Sequence, residues 1–330
     1  MSHAPGLVTV FGGSGFVGRY IVRRLAKEGW RVRVAVRRPN EAMFVKTYGD
    51  VGQVEPVLAN ILDDYSVQAA LGGADAVVNC VGILQESSRQ KFHAVHADGA
   101  QRIARLATAG GVKSLVHLSA LSADGQSDST YARTKAEAEA LVSAHFPGAV
   151  ILRPSVVFGP DDGFFNRFAA MSRLPLVLPL VGADTLFQPV YVDDVAKAAV
   201  LGVTGAAKAG VYELGGPDIE SLRALTHKTL GLVRRKRLVF NIPFAIAAIN
   251  AWFFDMWTAV LMGMFQNRIL TRDQVRLLAH DNVVSEGART LADLGVEPTP
   301  MAGNLENYLY CYRPNGQFEA IKESAENLRA

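Results

Sequence analysis

Two stretches of this 330-residue sequence carry side chains whose types and spacing suit chemistry. In Tyr131-Ala-Arg-Thr-Lys135 a phenol and an ammonium stand at i and i+4, which share one face of a helix. An ammonium there can hold a ribose hydroxyl and lower the pKa of the phenol. Tyr131 could then exchange a proton with a substrate oxygen while Lys135 orients and tunes it. Such chemistry also needs a hydroxyl to polarise that oxygen. Ser119 and Ser122 both follow an apolar run just upstream and are the candidates.

The second stretch is Leu7-Val-Thr-Val-Phe-Gly-Gly-Ser-Gly-Phe-Val-Gly18, an apolar run that feeds into spaced glycines and then a periodic pattern at Ile21, Val22 and Leu25. It reads as strand, tight turn and helix, the opening unit of a dinucleotide-binding domain. Gly12 allows the turn, Gly15 lets backbone amides approach a pyrophosphate, and Gly18 lets the helix pack on the sheet. Ser14, Phe16 and Val17 fall in the same turn and join the candidate cofactor site. Arg37 and Arg38 end the second strand, where an acid would take the 2′-hydroxyl of NAD. Two arginines and no nearby acid favour a 2′-phosphate, so NADP(H) is preferred, with NAD(H) the alternative. Asn60 and Ile61 after the third strand are placed to face adenine, and Val81 and Gly82 after the fourth to leave room for a ribose.

These residues need a scaffold, and the pattern supplies one. Strands are expected at 7–12, 30–36, 54–58, 74–80, 114–118 and 149–152, with helices at 64–71, 93–108 and 131–143 between the later ones. Strands alternating with helices at this spacing predict an α/β fold, a doubly wound and mostly parallel Rossmann-type sheet covered on both faces. Residues 1–155 form the expected dinucleotide-binding core. Residues 156–330 form a smaller, mainly helical C-terminal lobe on the substrate side, interleaved with the core by elements near 188–215. Short helices are expected over Thr271–Leu278, Gly287–Leu294 and Asn304–Tyr312.

The totals narrow the classes of function. A net charge of +3 with 20% charged residues gives no case for nucleic acid. Two cysteines, Cys80 and Cys311, give no disulfide framework and suit a reduced, cytoplasmic setting. The first strand begins within a few residues of Met1, which leaves no room for a signal peptide before it. Arg234-Arg-Lys-Arg237 precedes an apolar segment, 244–265, rich in aromatics and methionines. A membrane span needs roughly 20 apolar residues, and Asp255 in mid-segment costs about 3 kcal/mol on insertion scales. A pocket wall or core, or a face that docks on a membrane or partner, is physically cheaper. The basic run suits anionic headgroups at the inner face of the cytoplasmic membrane, and it suits a solvated turn equally well.

With these motifs the chain resembles the short-chain dehydrogenase/reductase superfamily in its extended or atypical branch, from Leu7 to about residue 230. The resemblance implies that Tyr131 and Lys135 act beside a nicotinamide, and that Pro154, in Arg153-Pro154, contacts its nicotinamide end. A narrower likeness covers nearly the whole chain: Leu118-Ser-Ala-Leu-Ser122, Tyr131-Ala-Arg-Thr-Lys-Ala-Glu-Ala-Glu139, Phe158-Gly-Pro-Asp-Asp162, Gln188-Pro-Val-Tyr-Val-Asp-Asp194, Leu270-Thr-Arg-Asp273 and Asp281-Asn-Val283. These are similar to the NADPH-binding accessory subunits of respiratory complex I and their bacterial homologues. That likeness implies a tightly held NADPH and an association with complex I subunits, or with membrane lipid or quinone through 234–265. The family's catalytic hydroxyl aligns most directly with Leu121, so Ser119 or Ser122 substitutes or the hydroxyl is absent. His96 stands where the family often has asparagine. Two functions follow as expectations. One is an NADP(H)-holding accessory or assembly protein of NADH:quinone oxidoreductase. The other is an active NAD(P)-dependent oxidoreductase or epimerase on an apolar or lipid-linked carbonyl or hydroxyl.

Overall fold

In the first strand Val8 and Val10 point to one side and Thr9 and Phe11 to the other, and all four are fully buried. A strand apolar on both faces must lie inside a covered sheet. The computed structural model describes residues 5–87, 90–173, 177–244, 246 and 271–318. Its strands are β1 (Leu7–Phe11), β2 (Arg31–Val36), β3 (Val54–Leu58), β4 (Ala76–Asn79), β5 (Ser114–Leu118) and β6 (Val150–Pro154). There follow β7 (Val157–Phe158), β8 (Val177–Val181), β9 (Leu186–Phe187), β10 (Val190–Tyr191), β11 (Gly210–Leu214), β12 (Glu220–Ser221) and β13 (Leu238–Ile242). The main sheet has seven strands in the order β11-β6-β5-β4-β1-β2-β3. All its pairings are parallel. The order reverses between β1 and β4, and in such sheets ligands bind beyond the strand ends at that point.

Helices cover both faces. On one, α1 (Phe16–Lys27) and α6 (Val192–Val203) bury Ile21, Val22, Leu25, Val195 and Ala199 against Val8, Val10, Val34 and Val116. On the other, α2 (Asp64–Leu71), α3 (Gly99–Ala109) and α4 (Thr130–His145) pack Val67, Ile103, Ala104, Ala138 and Val142 on Phe11, Val77 and Leu115. The predicted 93–108 helix opens as a π-helical turn over His93–Asp98 before α3. Such turns widen the backbone and often occur at functional sites.

A third apolar cluster is built from residues after Pro154. It joins α5 (Phe165–Met171) and α7 (Leu222–Leu232) through Phe158, Phe165, Leu178, Leu225 and Leu309. The same part of the chain adds three two-stranded pairs: β7 with β10, β9 with β12, and β8 with β13. The last pair is absent from the sequence pattern because Pro179 lies inside β8, and proline argues against a strand except at an edge. Of the stretch Gly287–Leu294 only a 3-10 turn at Ala292–Leu294 is helical. The helix α8 (Arg272–Leu277) closes the expected Thr271–Leu278 stretch with a Thr271–Gln274 capping box. Among the described residues no helix is long and apolar enough to cross a membrane. The apolar segment 244–265 lies outside them except for Phe244 and Ile246.

Candidate functional site

The glycine turn is built as its residues require. Gly12 has φ +75°, which an L side chain rarely adopts, and a Cβ there would stand 3.2 Å from the Cys80 carbonyl carbon. A Cβ on Gly18 would stand 2.4 Å from the Gly12 carbonyl oxygen, so only glycine lets α1 sit on the turn. Gly15 is the N-cap of α1, with no side-chain cap and no acid in the first turn. That leaves amide donors and a positive helix end facing the cleft, the physical requirement for a phosphate. Phe16 and Val17 line the cleft. Sequence reasoning missed Arg19. Its guanidinium donates to the carbonyls of Ser14 and Gly15 (both 3.3 Å) and to Asp161 (3.0 Å), bracing the turn from outside.

The other candidates follow neighbouring strands at the same carboxyl edge. Arg37 and Arg38 are exposed after β2, and Arg38 pairs with Glu41 at 3.0 Å. After β3, Asn60 turns its own chain, its Oδ1 accepting from the Leu62 amide at 3.1 Å. Ile61 is buried beneath Gly99, and neither residue lines the cleft around Tyr131. After β4, the Val81 amide donates to Asn79 Oδ1 at 3.1 Å, which sets the course of the chain into Gly82. A Cβ on Gly82 would stand 3.5 Å from Lys135 Nζ and 3.9 Å from His96 Nε2.

Tyr131, Lys135, Ser119, Ser122 and Pro154 line one cleft of about 870 Å³ together with Gly82. Lys135 Nζ donates to the Leu118 carbonyl at 3.1 Å. Burial pulls its pKa down to about 8, against a smaller upward pull from Glu139. The Tyr131 phenol moves opposite to the effect expected of Lys135: burial, then the Asp273 carboxylate, push it up to about 12. Phe92 and His96 meet its ring edge-on at 5.9 and 5.4 Å. His96 takes the asparagine's place with a bridge of its own. Its Nε2 accepts from the Ile83 amide and its Nδ1 meets Thr134 Oγ1, both at 3.1 Å. The amide contact requires Nε2 unprotonated, so Nδ1 carries the proton. Burial above all, with Lys135 nearby, takes the His96 pKa down to about 3.

The two serines part company. Ser119 is buried and donates its hydroxyl to Glu139 Oε1. Glu139 also receives Arg153 Nε at 2.9 Å and Nη2 at 2.6 Å, and Arg153 reaches Glu213 at 3.3 Å. Glu213 in turn accepts from the Ser285 amide at 2.7 Å. Ser122 is half-buried, and its hydroxyl makes no hydrogen bond among the described residues. Pro154 is held at the cleft floor, its carbonyl accepting from the Leu121 amide at 3.0 Å. Among the described residues no group of three or more His, Cys, Asp or Glu could hold a metal ion.

A seven-stranded parallel sheet with a glycine turn at its switch point, and a tyrosine and lysine one helical turn apart beside it, defines a dinucleotide-binding protein of the dehydrogenase and epimerase type. The sequence profile of the NAD dependent epimerase/dehydratase family matches residues 8–215, and the chain belongs to that family. It is 34% identical over 322 residues to the NADH dehydrogenase [ubiquinone] 1 alpha subcomplex subunit 9, mitochondrial, of Arabidopsis thaliana, covering 96% of this chain and 80% of that protein. It is 33% identical over 275 residues to a ceramide reductase of Caulobacter vibrioides, covering 81% and 84%. Among solved structures, a dTDP-glucose 4,6-dehydratase from Streptomyces venezuelae with NAD and TYD bound superposes with TM-score 0.71 at 21% identity, over 94% of this chain and 97% of that one. That likeness is one of fold.

Proposed function

We propose that this protein holds NADP(H) and serves as an accessory or assembly factor of NADH:quinone oxidoreductase. The similarity to the Arabidopsis subunit along nearly the whole chain supports the assignment. The observation that carries a holding role is the Ser119 hydroxyl, whose proton is committed to Glu139 and so is not available to polarise a substrate oxygen. The cradle suits the cofactor: α1 starts at Gly15 with no side-chain cap, so the amides of its first turn are open to a diphosphate, and Gly82 leaves space beside Lys135. Arg37 and Arg38 would take the 2′-phosphate, Lys135 the nicotinamide ribose, and Pro154 would back the nicotinamide. When bound, the cofactor supplies a hydride acceptor or donor. The chain's part is to hold it, keep Tyr131 protonated and exclude water. Tight binding then stabilises the fold by mass action. The basic run 234–237 and the segment after it would make the contact with partner subunits or with membrane lipid or quinone at the inner face of the membrane.

Ser122 favours a second reading, an NADP(H)-dependent reductase of an apolar or lipid-linked ketone. Its hydroxyl, without a hydrogen bond among the described residues, shares the cleft with Tyr131, and Leu84, Phe164, Phe187 and Leu277 give that cleft an apolar wall. The similarity to a ceramide reductase supports this substrate class. Mass spectrometry of the protein as isolated separates the two. The holding role expects stoichiometric NADPH, co-purification with quinone oxidoreductase subunits, and no oxidation of the nucleotide by long-chain ketones. Turnover that Tyr131→Phe abolishes would overturn it in favour of the reductase.

A further inference from the structure

The N-terminus of the helix that carries Tyr131 is closed by a residue far along the chain. Asp273 Oδ1 accepts from the Thr130 amide at 2.7 Å, and Oδ2 accepts from Ser129 Oγ at 2.8 Å and the Tyr131 amide at 3.2 Å. Ser129 Oγ accepts in turn from the Ala132 amide at 3.2 Å. Three successive first-turn amides of α4, which no intrahelical partner could satisfy, are thereby paired. Asp273 is free for this work because the Thr271–Gln274 box already caps its own helix α8.

The segment that follows forms one wall of the cleft. Arg276 donates to the Asp128 carbonyl at 2.9 Å, just ahead of α4. Leu277, Leu278 and His280 then line the cavity. At the far end Asn282 Oδ1 accepts from Ser155 Oγ at 2.6 Å, beside Pro154. The wall is therefore fastened to both sides of the cleft, and its fastening at the Tyr131 end is a carboxylate. Facing the phenol and its surroundings are Lys135 from α4, His96 from the π turn, Cys80 after β4, Asp124 and Asp128 from the preceding loop, His280 and Asp281 from the wall, and Asp273. Burial holds His96 neutral, and the Asp273 carboxylate is the one of these that pushes the phenol upward.

We propose that Asp273 is a positioning residue for Tyr131: it anchors the start of the tyrosine helix to the C-terminal wall and so fixes where the phenol stands in the cleft. The proposal rests on reading the cleft around Tyr131 as the nucleotide site. It gives the Leu270-Thr-Arg-Asp273 motif a role that acts at the cleft from the C-terminal half of the chain.

The test uses the full chain with Asp273→Asn, which removes the charge and keeps an acceptor, and Asp273→Ala, which removes both. Hydrogen exchange across residues 129–133 should be about tenfold faster in Asp273→Ala than in wild type, the scale of a lost cap. Phenolate absorbance, with Tyr131→Phe identifying the signal, should show Tyr131 of Asp273→Asn titrating lower by roughly half a unit or more. Ser129→Ala removes the hydroxyl's two bonds, to Asp273 and from the Ala132 amide, and leaves the charge, so it should speed exchange without moving the titration, and it serves if Asp273→Ala does not fold. An unchanged Tyr131 titration in Asp273→Asn, or unchanged exchange in both Asp273→Ala and Ser129→Ala, overturns the proposal. NADPH affinity is measured separately on the wild-type chain. Absence of binding there defeats the nucleotide reading while the titration and exchange still decide the role of Asp273.

Discussion

Ser119 gives its hydroxyl proton to Glu139, and Glu139 is held from its other side by Arg153. A hydroxyl in that position can accept a hydrogen bond from a ligand but cannot donate one without breaking a charge-assisted bond, the stronger kind. The pair therefore separates the two serines by role. If the cleft turns over a carbonyl, Ser122→Ala should lower kcat/KM by roughly a hundredfold to a thousandfold, the scale of one lost donor to a developing oxyanion. Ser119→Ala should act chiefly on stability, by leaving one lone pair of Glu139 without its donor. Kinetics and urea melts on both variants check this, and a larger kinetic loss in Ser119→Ala with unchanged stability would reverse the assignment.

The two arginines after β2 are exposed, and an exposed guanidinium costs little to turn toward an incoming phosphate. The double variant Arg37→Ala with Arg38→Ala should weaken NADPH binding by roughly tenfold or more, as expected for charge-assisted hydrogen bonds. NADH binding should change by less than about threefold. Calorimetry with both nucleotides decides it, and equal losses would show that these residues do not read the 2′ position.

Gly18 and Gly125 make a matched pair for a stability test. An added methyl on Gly18 would lie 2.4 Å from the Gly12 carbonyl oxygen, whereas nothing lies within 4 Å of one on Gly125. Gly18→Ala should cost about 1–3 kcal/mol and weaken nucleotide binding, because the turn itself must move. Gly125→Ala should stay within about 0.5 kcal/mol of wild type. Equal stabilities in urea would contradict the packing described for α1.

His96 and His117 are both held neutral, with pKa values of about 3, chiefly through burial. A folded-state pKa below the unfolded value of about 6.5 means that the unfolded chain binds the extra proton. Stability should therefore be flat with respect to these groups above about pH 6.5 and fall as pH drops from there toward 3. Each histidine contributes up to about 1.4 kcal/mol per pH unit across that window. His96→Asn should remove one share of the slope between pH 6.5 and 5. A slope unchanged by the substitution would show that His96 is protonated in the folded protein.

What could be read in the sequence was what local physics encodes. The strand of alternating Val8 and Val10, the positive φ of Gly12 and the i, i+4 spacing of Tyr131 and Lys135 each depend on neighbours a few residues away, so their pattern is visible in one dimension. The Arg19–Asp161 brace and the Asp273 cap were not legible as such, because their partners lie 142 to 144 residues apart. Asp273 belongs to the Leu270-Thr-Arg-Asp273 motif, yet nothing in the motif says which helix it closes. The phenol shift of Tyr131 went the other way from expectation for a similar reason: spacing reveals the cation on the same helix, and only the fold reveals the anion and the burial from elsewhere. His117 shows a further limit. Its Nδ1 accepts from Asn79 at 3.2 Å, and its buried Nε2 has no partner among the described residues.

The bracing of α1 bears on how this chain could be cut. Asp193 pairs with Arg24 and Asp161 with Arg19, while β11 supplies the last strand beside β6. A truncation near residue 155 would strip α1 of both counter-ions and leave β6 as a raw hydrogen-bonding edge, the kind that recruits other chains. The shortest piece worth grafting onto another scaffold runs through Leu214, so nucleotide capture and the residues beyond Pro154 must be inherited as one block.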